Sequence, residues 1–208
     1  MSRSTASLEK SFGYLTAVET AEFGYFGGYL LISQLGRPME FHCTAPIQPS
    51  RAQRILYGPT LEQYLLGEQI CGALLSAAKL VPEVILTDSE AAIGSRSRFS
   101  IPMARLRSEP AAQTAACETG GCGGCKLKAR LAKARANADG ANVGEFTIGT
   151  YQFNVPYGFE NEQTSIEEAL TLLSQRVDLA EPFARIREAI GEAQRLGGKG
   201  TDAHAQAA

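Results

Sequence analysis

The nine residues CETGGCGGC, Cys117 to Cys125, hold three of the chain's five cysteines, and the ten that follow, KLKARLAKAR, carry five basic residues and no acid. The spacing C-x4-C-x2-C suits metal ligation, because a tight glycine turn lets two thiolates converge on one ion. Zinc and four-iron clusters take four protein ligands, and a two-iron cluster with this spacing takes its fourth cysteine further downstream. No cysteine follows Cys125. The fourth ligand to zinc or an iron-sulfur cluster would then be Cys43, Cys71, His42 or an acid such as Glu118, or would come from a partner. Two other readings stand beside this one. Cys122 and Cys125 could be redox thiols, their thiolates favoured by Lys126, Lys128 and a helix N-terminus. The segment could equally be a glycine-rich loop with incidental cysteines.

In the basic half, Lys126, Arg130 and Lys133 recur at i, i+4 and i+7, with Lys128 beside them. Such a helix contacts phosphates or an acidic partner, or is simply solvated, and no aromatic residue is interleaved to stack on bases.

A second set of residues suits different chemistry. Asp88 closes PEVILTD, at the carboxyl end of an apolar strand, where open α/β sheets place ligands and catalytic acids. Glu19 and Glu22 flank the end of the first strand. Grouped about Mg2+ ions, carboxylates of this kind hydrolyse phosphodiesters, which requires Asp88 to meet Glu19 or Glu22 across a shared ion. His42 lies on the polar phase of its strand, where an ordinary hydrogen bond is expected, whereas Cys43 and Cys71 fall on apolar faces and read as small buried hydrophobes.

The elements that must position these residues are legible from periodicity. Phe12 to Val18 favours a strand, Gly24 to Gly28 supplies turn residues, and YLLIS is a second apolar strand. In MEFHCT, Met39, Phe41 and Cys43 alternate with Glu40, His42 and Thr44, which predicts a strand burying its Met39 face. Thr60 with Gln63 predicts a capped helix running to about Lys79, preceded by Arg51, Arg54 and Tyr57 as anion-binding candidates. PEVILTD is a fully buried strand, followed by a short helix over 89–96 and a strand over 101–106. The fold class is α/β, a mixed sheet in β-β-β-α-β-α-β order whose first strands are antiparallel. Residues 1–10 form a polar N-terminus and 11–106 the main domain. Residues 107–144 are an insertion carrying the cysteines, too poor in large apolar side chains to build a core. Residues 145–196 complete the domain with a strand and two helices, and 197–208 form a tail. Ser165 with Glu168, and Asp178 with Glu181, mark the two helix starts.

A three-strand unit, a helix and a strand ending in Asp is the order of the ribonuclease H-like fold, and PEVILTD followed by SIPMARL resembles the corresponding portion of endonuclease V-type proteins. That resemblance covers the first half and implies a metal-dependent nuclease or phosphate-processing enzyme, or a non-catalytic version of one. The segments GRPMEFHCTAPIQPSRAQRILYGPTLEQYLLGEQI and DLAEPFARIREAI resemble a bacterial protein family with no assigned activity, which supplies no catalytic residues.

Bulk properties narrow the classes. With 44% hydrophobic and 20% charged residues the chain is globular, and a net charge of -2 excludes nucleic-acid binding through global charge. No window is apolar enough to span a membrane and the N-terminus is polar, so the expected location is the cytoplasm, where thiols stay reduced. The leading expectation is a metal- or iron-sulfur-binding protein with a regulatory role and a protein partner. The alternatives are the nuclease and a non-catalytic interaction module.

Overall fold

A computed structural model describes residues 10–20, 24–107 and 144–201, with side chains through Arg195. Seven strands make one mixed sheet in the spatial order β3-β2-β1-β4-β5-β7-β6. They are β1 (Ser11–Thr20), β2 (Gly24–Ser33), β3 (Pro38–Cys43), β4 (Val84–Thr87), β5 (Met103–Arg107), β6 (Glu145–Ile148) and β7 (Tyr151–Asn154). The first three form an antiparallel meander, β4 runs parallel to β1 and β5 parallel to β4, and β7 and β6 close the far edge antiparallel. The expected α/β class and the antiparallel start are both present.

Helices cover both faces. One face carries α1 (Arg51–Tyr57), a π-helical segment (Gln63–Ile70) continued by α2 (Cys71–Ala77), and α3 (Glu90–Ile93) with the 3-10 turn Gly94–Arg98. Its core joins Leu15, Tyr29, Leu31, Ile85 and Met103 of the sheet to Leu65, Ile70 and Leu74. The other face carries α4 (Gln163–Ser174) and α5 (Glu181–Thr201), whose Ile166, Leu170, Phe183, Ile186 and Ile190 pack on Phe12, Tyr14, Leu30, Leu86 and Leu106. Alternate residues of β1 therefore serve different layers, as the strand period of two requires. All four residues of β4 are buried, as expected of a central parallel strand.

Several expectations are corrected. Gly24 to Gly28 belong to β2 and are not a turn. A Cβ on Gly27 would lie 2.5 Å from Ile70 Cγ2 and 2.8 Å from the Thr16 carbonyl oxygen, and one on Gly28 would lie 2.5 Å from Ile186 Cγ2. Helices press on the strand from both sides there, and only glycine leaves room. The single capped helix expected from Thr60 is instead a 3-10 turn, the π-helical segment and α2, and the reciprocal capping box is that of Ser50 and Gln53 at α1. Arg51, Arg54 and Tyr57 lie within that seven-residue helix rather than before one. The strand expected over 145–156 is a hairpin turning at Gly149. Ser165 lies inside α4 and makes no cap, whereas Asp178 does accept from the Ala180 and Glu181 amides at 2.8 and 3.2 Å. The last helix continues to Thr201, past Gly197, where the tail was expected.

β3 is turned over relative to expectation. Met39 and Phe41 are exposed, as is Cys43, while Glu40 and His42 face inward. Glu40 explains the inversion, since its carboxylate accepts from the Lys79 and Leu80 amides at 2.9 and 3.1 Å and pairs with His42 Nε2 at 2.6 Å. Fixing the loop after α2 outweighs burying the apolar side of an edge strand.

Candidate functional site

The parallel pairing of β1 with β4 sets Leu15 opposite Thr87, which brings the next residues, Thr16 within β1 and Asp88 just past the carboxyl end of β4, together. Thr16 is fully buried and its hydroxyl donates to Asp88 Oδ1 at 2.8 Å. Asp88 Oδ2 is paired with the guanidinium of Arg187 from α5. The aspartate side chain is 11% exposed and that of its arginine partner 50%, so a sheltered carboxylate holds a guanidinium that reaches solvent. Burial pushes the Asp88 carboxyl above the ordinary aspartate range, against the Thr16 hydrogen bond and the positive charges of Arg187 and Arg105.

The chain leaves Asp88 through a tightly bonded turn. Ser89 N donates to Thr87 Oγ1 at 3.1 Å, Ser89 Oγ caps α3 by accepting from the Ala92 amide, and Ser95 Oγ donates to the Ala92 carbonyl at 2.6 Å. Arg105 on β5 stands in register with Thr87 and pairs with Glu90 at 3.3 Å. Its Nε and the Oδ1 of Asn154, its partner across β5 and β7, are both buried without a hydrogen-bond partner. One arginine thus pairs with Asp88 and a second with Glu90, two residues on, where β4 ends between β1 and β5.

The acids that two-ion hydrolysis would need are not gathered here. Glu19 lies three residues beyond Thr16 on β1, an odd step that turns it to the other face. It is exposed and hydrogen-bonded to Tyr25, its cross-strand partner. Glu22 lies outside the described residues. Glu90 is committed to Arg105, and Glu40 to the far edge of the sheet. Among the described residues no group of three or more His, Cys, Asp or Glu side chains is placed to hold a metal ion. Both oxygens of Asp88 are taken by a hydroxyl and a guanidinium, so the described residues do not fit a two-magnesium centre.

Cys117, Cys122, Cys125, Lys126, Lys128, Arg130 and Lys133 also lie outside the described residues, as does Glu118. Of the fourth-ligand candidates, Cys43 is exposed on the edge strand, contrary to its expected burial. Cys71 is sealed in the core as expected, and burial pushes its thiol up to about 12. His42 makes the expected hydrogen bond, to Glu40. The residues that complete the Asp88 site went unnoticed in the sequence. Thr16 is the polar interruption of an apolar strand, which is a readable signal, but Arg187 is 99 residues from Asp88 and only the fold unites them.

No protein-family model and no curated protein matches the chain. Among solved structures, human ENDOV superposes with a TM-score of 0.47 at 13% identity, covering 92% of this chain and 87% of that one. Two Ciona intestinalis endonuclease V structures, in complex with DNA containing an inosine followed by a ribo-adenosine, are also similar. One gives a TM-score of 0.46 at 11% identity over 90% of this chain and 88% of that chain, the other 0.44 at 12% over 90% and 89%.

Proposed function

We propose that this chain is a nucleic-acid-binding protein on a ribonuclease H-like frame, whose contact surface is the carboxyl end of β4 with the face of α5 beside it and which does not hydrolyse phosphodiesters at Asp88. The observation that carries this reading is the pairing of sheltered Asp88 with Arg187, whose guanidinium reaches solvent at the end of β4. Three lines of physical chemistry support it. Open α/β sheets bind ligands at the carboxyl ends of their parallel strands. Arginine forks match phosphate geometry. A single acid neutralised by arginine lacks the charge to gather two magnesium ions. The test is fluorescence anisotropy with labelled single-stranded DNA and RNA, in EDTA and in Mg2+, with the same samples run on denaturing gels. Binding that weakens steeply with salt, with no cleavage in either buffer, is expected. Absence of binding at low salt sinks the reading, and Mg2+-dependent cleavage lost in Asp88→Asn replaces it with the nuclease.

A second reading concerns the cysteines. We also propose that Cys117, Cys122 and Cys125 bind zinc or an iron-sulfur cluster, with Cys43 as the fourth ligand. The exposure of Cys43 favours it over Cys71, whose thiolate burial opposes. Metal analysis and an absorption spectrum of anaerobically purified protein test this, and protein free of both zinc and iron ends it.

A further inference from the structure

Three observations at the Asp88 site point beyond nucleic-acid binding in general to the groups that perform it. The buried hydroxyl of Thr16 fixes one carboxylate oxygen of Asp88 at 2.8 Å. The other oxygen holds Arg187, which among the described residues has no second hydrogen-bond or ion-pair partner. The same face of α5 carries Glu188, Gly191, Glu192 and Arg195, and Gly191 leaves it open, since a Cβ there would meet nothing within 4 Å. Arg195 is paired at 3.1 Å with Glu192, an exposed acid on its own helix, so of the two arginines only Arg187 is held by a sheltered carboxylate.

A guanidinium has five N-H donors in a rigid planar fork, and a carboxylate on one edge fixes the direction of the others. The relay from Thr16 to Asp88 to Arg187 therefore ends in aimed donors at the surface. We propose that Arg187 is the phosphate-contacting residue of this protein and that Asp88 and Thr16 are positioning residues that aim it, so that a single-stranded nucleic acid is bound through a phosphodiester oxyanion without a metal ion. The inference rests on the nucleic-acid reading above and reverses the role first expected of Asp88. The acid orients a cation and ligates none.

The test measures binding of a short fluorescein-labelled oligothymidylate by anisotropy, in EDTA and in Mg2+, for the full chain and for Arg187→Ala, Arg187→Lys, Asp88→Asn and Thr16→Val, with thermal melting to confirm that each variant folds. Arg187→Ala should weaken binding by about tenfold and lower the salt slope by about one. Arg187→Lys should not restore it, because an ammonium cannot hold Asp88 and phosphate in one plane. Asp88→Asn discriminates the roles. An orienting acid predicts weaker binding, whereas an acid that merely opposes phosphate predicts tighter binding, and tighter binding overturns the proposal. Unchanged binding by folded Arg187→Ala overturns it too. So does binding that requires Mg2+ and strengthens in Arg187→Ala, which would make Asp88 a metal ligand. If the unaltered chain binds at low salt but no variant differs, this assignment alone fails; if it does not bind at all, the broader reading fails with it.

Discussion

Thr16 and Asp88, 72 residues apart in the chain, share a 2.8 Å hydrogen bond between the middle of β1 and the carboxyl end of β4. The bond favours the ionised carboxylate while burial opposes it, and burial is the larger influence. The folded protein therefore holds the Asp88 proton to higher pH than the unfolded chain, whose carboxyl titrates near the ordinary 3.8. Between that value and the raised one the native state binds more protons than the unfolded state, so this group's contribution to stability falls as pH rises through the window and levels off above it. Thr16→Val should widen the window upward and Asp88→Asn should remove it. Melting temperatures collected across the acid range for the three proteins check the sign, and a contribution that instead grows with pH through the window contradicts it.

Gly27 is closed in by Ile70 and Leu74 on one face of the sheet and by the Thr16 carbonyl of the neighbouring strand. Gly27→Ala should destabilise by about 1–3 kcal/mol, the usual cost of overpacking. Gly28→Ala should cost less, because its nearest neighbours are the methyl ends of Ile186 and Ile190, whereas Gly27 also meets the backbone oxygen of Thr16. Urea denaturation of both variants ranks them, and the reverse order would show that α5 yields less than the sheet.

Much of the fold was legible because it rests on local periodicity. The buried run Val84 to Thr87, the apolar stretch of β2 and the amphipathic C-terminal helices all follow from patterns of two or 3.6 residues. The failures have one cause, which is that tertiary contacts chose between local options. Gly27 and Gly28 look like turn residues until helices approach from both faces, and β3 looks inward on its Met39 side until Glu40 finds the two amides after α2. The Asp88 position was readable as a strand end. Its partners were not, because arginine at position 187 carries no mark of where α5 will lay it.

Arg96 is a buried cation with a different task from that of Arg187. It is 5% exposed, pairs with Glu162 through Nε at 3.2 Å and through a second nitrogen, donates to the Phe99 carbonyl, and stacks over the Phe159 ring at 4.1 Å. It ties the turn after α3 to the approach of α4. Arg96→Ala leaves Glu162 largely buried and unpaired, and should cost about 3 kcal/mol. Glu162→Gln, which keeps an acceptor, should cost less, and chemical denaturation of both variants measures the difference.

The two described thiols should separate cleanly. In a chain with Cys117, Cys122 and Cys125 changed to serine, a disulfide reagent should titrate one thiol under native conditions and two after denaturation. The fast one is Cys43, exposed on the edge strand, and the protected one is Cys71. Peptide mapping after labelling identifies each, and rapid native modification of Cys71 would show that the π-helical segment and α2 open readily.

Arg107 of β5 and Glu145 of β6 form a 2.7 Å ion pair across the intervening strand β7, and the Val155 amide donates to the Gly144 carbonyl at 3.0 Å. The two described ends that flank residues 108–143 are thus each tied into the sheet, one through a side chain and the other through side chain and backbone together, so this side of the sheet is fastened where strand pairing alone would leave an open edge.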